Sequence, residues 1–327
     1  MKILVTGGAG FIGSHLSEIL LKKGHVVFVL DNLFTGKKEN INHLLKNPRF
    51  FFVHGSVLNK SDLAPLIKKS DQVFHLAAAV GVKLVTERPL ESMLINLEGT
   101  KNVLELAELR NIPVLITSSS EVYGKNEELP FKEDSDRRYG SVYNERWGYA
   151  LSKAVDEFMG MSFWRERKLP VVIVRLFNTV GPRQTGQYGM VVPRFVVSAL
   201  TNAPITVYGT GDQTRAFCYV EDIVNAMTKL INCKKAYGEV INLGSTEAIT
   251  INNLARKIKS LTGSRSPIVH MTYKNAYSNT FEDMLNRVPN ISKAKKLISY
   301  YPRYDLVQIL GQVIEYHKKT RSEFNSR

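Results

Sequence analysis

Apolar positions along this chain gather in short, β-branched runs, and polar and apolar positions between the runs alternate with helical spacing. Ile3-Leu4-Val5, inside Lys2–Thr6, reads as a strand buried on both faces of a parallel sheet. Gly7-Gly8-Ala9-Gly10-Phe11-Ile12-Gly13 follows, then a helical pattern over Ser14–Leu21, then a second run, Val26–Leu30, that ends in Asp31. Further strand-like runs stand at Phe50–Val53, Gln72–Leu76, Val114–Thr117 and Val171–Phe177, separated by helical pattern. Such alternation predicts an α/β fold, a doubly wound parallel sheet with helices on both faces. Beyond Phe177 the pattern is mixed, with short strands at Ile205–Tyr208 and Glu239–Leu243 and helices near Val220–Ile231 and Ile251–Leu261. This predicts a smaller, discontinuous α/β domain closing over the sheet. The expected division is 1–180 for the first domain, with 217–244 returning to it, and 181–216 with 245–327 for the second.

The glycine turn gives the first domain a chemistry. Strand, glycine turn, helix, strand and acid occur here in the order that a dinucleotide site needs. Gly7 allows a tight turn, Gly10 lets the backbone approach a pyrophosphate, and Gly13 lets helix and strand pack closely. The helix N-terminus adds free N–H groups and a positive dipole end. Asp31 is placed to accept hydrogen bonds from ribose hydroxyls and would repel a 2′-phosphate, so NAD is expected over NADP. Lys37 and Lys38, a few residues on, keep the second cofactor open.

Composition narrows the class further. With 327 residues and 44% hydrophobic content the chain can build one large or two ordinary domains. No stretch approaches the roughly 20 apolar residues of a membrane span, and the N-terminal run is too short for a signal peptide. Cys218 and Cys233 are too few for a disulfide framework and lack metal-ligand spacing, so no metal is expected and a reducing cytoplasm is the expected setting. The net charge of +14 is spread along the chain, not gathered in one stripe with stacking aromatics. It points away from nucleic acid and toward a basic surface whose site draws anionic substrates.

Tyr149 and Lys153, four apart in Tyr149-Ala150-Leu151-Ser152-Lys153, share one face of a helix. A free phenol, pKa about 10, is a poor base at neutral pH. A neighbouring ammonium, helped by a cationic nicotinamide, would favour the phenolate and make Tyr149 a proton acceptor. Upstream, Thr117-Ser118-Ser119-Ser120-Glu121 follows the strand Val114–Thr117, at the carboxyl end where parallel strands meet ligands. A hydroxyl there can hold the substrate oxygen, and a carboxylate can serve as an acid–base group.

Taken together these motifs resemble the extended short-chain dehydrogenase/reductases, the nucleotide-sugar epimerase, dehydratase and decarboxylase family. The likeness covers nearly the whole chain. It rests on Gly7, Gly10 and Gly13, His75-Leu76-Ala77-Ala78, Ser118-Ser119-Ser120-Glu121, Tyr149 with Lys153, Arg175-Leu176-Phe177-Asn178, Gly181-Pro182-Arg183 and Thr214-Arg215-Ala216-Phe217. The resemblance implies a Rossmann-type fold and a tightly held NAD that oxidises a sugar at C4 and later takes the hydride back. It implies cofactor contacts at Phe11, Ile12, Asn32, Ser56, Val57, Leu76, Ala77 and Ala78, besides the glycines, Asp31, Tyr149 and Lys153. In it Tyr149 is the base, Lys153 tunes it and grips the nicotinamide ribose, and Ser119 bonds the C4 oxygen, with Ser120 beside it. Asn178 would meet the nucleotide sugar, and Arg183, Arg215 and Arg287 would meet the diphosphate or sugar, as guanidinium forks suit phosphate oxygens. Relatives commonly dimerise through the helix after Pro89 and the helix carrying Tyr149, which implies a homodimer. Leu94, Leu97, Val103, Leu104 and Leu106 would serve that interface or the core equally well.

The reaction after C4 oxidation rests on Glu121. A plain 4-epimerase needs only a hydroxyl at this position, whereas the family's decarboxylases and 4,6-dehydratases carry Glu. Phe281-Glu282-Asp283-Met284-Leu285-Asn286-Arg287-Val288-Pro289-Asn290-Ile291 resembles a segment of UDP-glucuronate decarboxylases, in which the arginine matching Arg287 is a proposed acid, and Glu145-Arg146-Trp147 points the same way. Oxidising a uronic acid at C4 gives a β-keto acid, which loses carbon dioxide through an enolate. UDP-glucuronate decarboxylation is therefore the leading expectation, followed by 4-epimerisation of a nucleotide sugar and then 4,6-dehydration. A non-catalytic NAD-binding sensor is the reading from another class, and the intact Tyr149 and Lys153 argue against it. Three departures bear on the choice. Ser56 stands where many relatives carry an Asp for the adenine amino group. Ser120 replaces the acid typical of dTDP-glucose 4,6-dehydratases, while GDP-mannose 4,6-dehydratases pair a hydroxyl with Glu and stay open. The segment 79–83, beside the sugar, does not match the decarboxylases.

Overall fold

The computed structural model describes residues 1–81, 85, 87–144, 146–186, 190–276 and 282–325. Seven parallel strands form the main sheet: β1 (Lys2–Thr6), β2 (Val26–Asp31), β3 (Phe50–His54), β4 (Gln72–His75), β5 (Val114–Ser119), β6 (Val171–Leu176) and β11 (Glu239–Leu243). Their spatial order is β3-β2-β1-β4-β5-β6-β11. The order reverses between β1 and β4, and in open α/β sheets ligands bind outside the carboxyl ends of the strands at such a switch point.

The sequence dictates the two-sided burial. Along β1, Ile3 and Val5 enter one core with the helix α1 (Phe11–Lys22) and α6 (Val220–Leu230), while Leu4 enters the other. Along β6, Val172 and Val174 join the first core, and Val171 and Ile173 the second. Period-two alternation between two apolar layers is why these strands read as unbroken hydrophobic runs. The second core is closed by α2 (Lys60–Lys69), α3 (Pro89–Glu108) and α4 (Arg146–Arg167), through Leu63, Ile67, Val103, Leu104, Met159 and Phe163.

The helices α5 (Val191–Leu200), α7 (Ile251–Thr262), α8 (Tyr273–Ala276), α9 (Ser292–Ile298) and α10 (Leu306–Asn325) accompany the small sheets beyond β6. In one of these, β9 (Thr214–Ala216) lies between β12 (Ala248–Thr250) and β14 (Asn286–Arg287). A second pairs β8 (Ile205–Tyr208) with β13 (Ile268–Met271), and a third pairs β7 (Thr179–Val180) with β10 (Cys218–Tyr219). The pairing of β9 with β14 is parallel and sets Arg287 directly beside Arg215. Val103 and Leu104 are fully buried core residues, which removes them from any subunit contact. Among the described residues no helix is long and apolar enough to cross a membrane.

Candidate functional site

A cavity of about 470 Å³ runs along the switch point, from the glycine turn to β9 and β14. Every site residue expected from the sequence lines it, and the structure brings them together as two ends of one crevice.

At the first end, Gly7 has φ +71°, and a Cβ there would stand 2.8 Å from the Ala77 amide. Gly13 is closer still, since a Cβ on it would collide with the Gly7 carbonyl oxygen. Gly10 is the N-cap of α1 with extended backbone and no side-chain cap, so the first amides of the helix, at Phe11, Ile12 and Gly13, have no cap acceptor from it. A cradle without side chains at a positive helix end fits a pyrophosphate. Asp31 closes this end from β2. Its carboxylate accepts from the amides of Ala9 at 2.9 Å and Leu33 at 2.8 Å. Burial raises its pKa, and those two N–H groups oppose the rise. One backbone donor per oxygen leaves lone pairs for ribose hydroxyls. Asn32 is drawn into a turn, accepting from Phe34 N at 3.1 Å. Ser56 accepts from Leu58 N at 3.2 Å, while its own amide donates to Asp62 at 3.1 Å. The carboxylate near this corner is thus Asp62, on α2. Val57, Leu76, Ala77 and Ala78 complete the wall, with the Ala77 amide donating to Thr6 Oγ1 at 3.2 Å.

At the second end, Ser119 closes β5 and caps a 3-10 turn over Ser120–Tyr123, accepting from Glu121 N at 3.2 Å. Burial, followed by the charge of Glu121, pushes the phenol of Tyr149, on α4, above the ordinary value, and the neighbouring Ser119 hydroxyl opposes the rise. Lys153 has a partner that the sequence did not name. It does share the helix face of Tyr149, yet its ammonium donates to Asp156 Oδ2 at 2.7 Å, because both charges are buried and each needs the other. The protein's own groups therefore hold Tyr149 as a neutral phenol.

Glu121 too has partners that the sequence did not name. Arg146 Nη2 reaches both of its oxygens at 3.0 Å, Arg146 Nε reaches one at 3.1 Å, and Arg287 Nη1 reaches Oε1 at 2.6 Å. Burial would raise its pKa, but the two guanidiniums overcome that and hold it below the ordinary value. An ionised Glu121 is no proton donor at neutral pH; it is an anchor for two cations. Asp283 plays the same part for Arg215 (3.0 and 2.9 Å) and for Arg146 (2.8 Å), and it accepts from Tyr273 at 2.9 Å. The arginines around it hold its carboxyl well below the carboxylate range despite burial. Arg215 moves the other way: burial first, then the neighbouring Arg287, lower its pKa to about 10. Like charges side by side on adjacent strands repel, and Glu121 and Asp283 are what make that pairing tolerable.

Two further expected residues have partners of their own. Arg183, with φ +69°, turns its guanidinium away from the sugar end to Glu18 (2.9 Å), His15 (2.7 Å) and the Asn40 carbonyl (3.1 Å), where α1 offers the only carboxylate it bonds among the described residues. Asn178 has φ +30° and donates to the Ala216 carbonyl at 3.0 Å, tying the end of β6 to β9. Arg146 and Asp283 were not singled out as site residues from sequence. A signal existed for each: Arg146 precedes Tyr149 by three on one helix, and Asp283 precedes Arg287 by four in the quoted segment. Glu145, Phe281 and the last two residues of the unmatched segment 79–83 lie outside the described residues.

This geometry agrees with what the chain is similar to. A family model described as GDP-mannose 4,6 dehydratase matches residues 4–313. The chain is 40% identical to a UDP-N-acetyl-alpha-D-glucosaminuronate decarboxylase of Bacillus cytotoxicus, over 98% of this chain and 99% of that one. It is 37% identical to UDP-glucuronic acid decarboxylase 1 of Xenopus tropicalis, over 97% of this chain and 72% of the relative. Its fold superposes with a TM-score of 0.87 and 31% identity on the UDP-glucuronic acid 4-epimerase of Bacillus cereus in complex with UDP-glucuronic acid and NAD, covering 98% of this chain and 100% of the other. With the glycine cradle, the Ser119–Tyr149 pair and this match over nearly its whole length, the chain belongs to the GDP-mannose 4,6-dehydratase family, within the extended short-chain dehydrogenases/reductases.

Proposed function

We propose that this protein is an NAD-dependent decarboxylase of a UDP-linked hexuronate, with UDP-glucuronate as substrate. The observation that carries the reading is the charge at the sugar end. Arg215 and Arg287 stand side by side on β9 and β14, and among the described residues the buried Nε of Arg287 has no hydrogen-bond partner. A sugar carboxylate can accept from that Nε and suits two neighbouring guanidiniums better than a neutral hexose does.

The cofactor side suits NAD through the side-chain-free turn at Gly7, Gly10 and Gly13 and the carboxylate of Asp31. When bound, NAD takes the C4 hydride and later returns it. Tyr149 accepts the C4 hydroxyl proton, with Ser119 bonding the same oxygen. The C5–C6 bond of the 4-keto acid then breaks, carbon dioxide leaves with C6, and the electron pair passes to the C4 enolate oxygen. One proton is added at C5 before reduction, and Arg287, which meets Glu121 at 2.6 Å and Ser120 at 3.4 Å, is the group we assign to that side. Residues 1–180 with 217–244 would hold NAD, and 181–216 with 245–327, apart from Arg183, the nucleotide sugar.

A second reading of the sugar is its 2-acetamido counterpart, favoured by the 40% identity to the Bacillus cytotoxicus relative. The protein is read further as a cytoplasmic homodimer. Both cysteines are free thiols, and Leu90, Leu94, Leu151, Val155 and Phe158 leave an apolar face exposed on α3 and α4. NMR of UDP-glucuronate and of UDP-N-acetylglucosaminuronate with the purified protein tests the reading. Loss of the C6 carboxylate carbon is expected. Inversion at C4 with the carboxylate retained, or turnover of neutral hexoses only, would overturn it.

A further inference from the structure

Behind Tyr149 a second acid is buried that the reaction above does not use. Asp156 is fully buried on α4, one turn after Lys153, and its Oδ2 takes the Lys153 ammonium at 2.7 Å. Its other oxygen makes no hydrogen bond of normal geometry, although Thr100 faces the carboxylate from α3. Thr100 in turn meets His75 Nε2 at 3.1 Å, and His75 Nδ1 meets Thr6 Oγ1 at 2.8 Å, at the end of β1 beside the glycine turn. A buried carboxylate with half its capacity unused is costly.

We propose that Asp156 is a positioning residue that holds the Lys153 ammonium back from Tyr149, so that Tyr149 stays a phenol until ribose hydroxyls compete for the same N–H groups. The competition is geometric. Lys153 has three donors, one is spent on Asp156, and the ammonium is itself almost fully buried, so it cannot turn to water. The other groups facing Tyr149 are Glu121 beyond β5, Arg287 on β14 and Ser119 on β5; those facing Asp156 and Lys153 are His75 on β4, Thr100 on α3 and Glu157 on α4 itself. Of the two anions acting on the phenol, Glu121 is already neutralised by two arginines, whereas Asp156 shares only the lysine. Asp156 is therefore the anion whose removal changes the charge at Tyr149 through Lys153.

The inference rests on the proposed role of Tyr149, and its test has a readout free of the substrate. The tyrosinate absorbance of the protein freed of NAD is titrated with pH, and the same titration of a Tyr149→Phe protein is subtracted. In Asp156→Asn the Tyr149 midpoint is expected to fall by about one pH unit, the size of one uncompensated charge at short range. Asp156→Glu, which keeps the carboxylate, is expected to titrate as the parent does. Combining Asp156→Asn with Lys153→Met is expected to abolish the fall. Should the Asn protein fail to fold, Asp156→Ser carries the same expectation. An unmoved or raised midpoint in the neutral variant, or a fall that survives the loss of Lys153, overturns the proposal. The acid limb of kcat for UDP-glucuronate should move with the midpoint. If UDP-glucuronate is not turned over at all, the decarboxylase reading fails while the titration still decides the role of Asp156.

Discussion

Arg146 binds Glu121 through two nitrogens, and the same guanidinium reaches Asp283, so one side chain on α4 joins the 3-10 turn after β5 to the segment before β14. Truncating it takes one of two guanidiniums from each carboxylate and leaves Glu121 to Arg287 and Asp283 to Arg215. Arg146→Ala is expected to cost about 3–5 kcal/mol of stability. It should also lower kcat by about tenfold or more, because Arg287 loses the fixed anion that holds it. Chemical denaturation and steady-state kinetics on UDP-glucuronate check the two separately.

Glu121→Gln keeps the shape and removes the charge. Arg146 and Arg287 would then face each other without their shared counter-ion, and the sugar carboxylate would be bound more tightly but held out of place. The expected result is a lower KM for the hexuronate with kcat reduced by about 10²-fold. An unchanged kcat would show that the carboxylate is not needed to place Arg287.

Gly13→Ala tests the cofactor cradle. A Cβ on Gly13 has no room against the Gly7 carbonyl, so the turn and α1 must separate. Loss of NAD binding by at least about tenfold in calorimetry is expected, together with a lowered melting temperature.

Two histidines make stability fall in mild acid. Burial, followed by the Arg183 charge, lowers His15 to about 4, and burial, followed by the Lys153 charge, lowers His75 to about 3. Both folded values lie below the unfolded value of about 6.5, so between them the unfolded chain takes up protons that the folded chain refuses. Their contribution is complete above about pH 6.5 and is lost as the pH drops toward 4. Melting curves should show the loss beginning in that window, before the low-pKa carboxylates Glu121 and Asp283 are protonated.

Phe158→Glu puts a charge into the exposed apolar face of α3 and α4, where Phe158 is 68% exposed. Sedimentation is expected to show a monomer with an unchanged circular dichroism spectrum. A parent protein that already sediments as a monomer would end the homodimer reading.

The main sheet was legible in the sequence because its strands are buried on both faces, and Ile3-Leu4-Val5 can only be satisfied between two apolar layers. The glycine turn was legible for a similar reason, since Gly7 and Gly13 answer to backbone contacts a few residues away. Side-chain partners were not. Helical spacing placed Lys153 under Tyr149 correctly, but which acid takes the ammonium depends on burial, and nothing in the spacing favours Asp156. Arg183 was assigned to the sugar because the motif gives a residue type and no direction; a left-handed backbone turns it to α1. The two-residue strand β14 has no periodicity of its own, so its register with β9, which sets Arg287 beside Arg215, emerges only when the chain is folded.

That register has a consequence for how the enzyme comes into being. Tyr149, Lys153 and Glu121 are all made in the first half of the chain, whereas Asp283 and Arg287 follow far downstream. In the order of synthesis the residues read as carrying the oxidation come first, and the Arg287 cation and Asp283 anion of the sugar end come last.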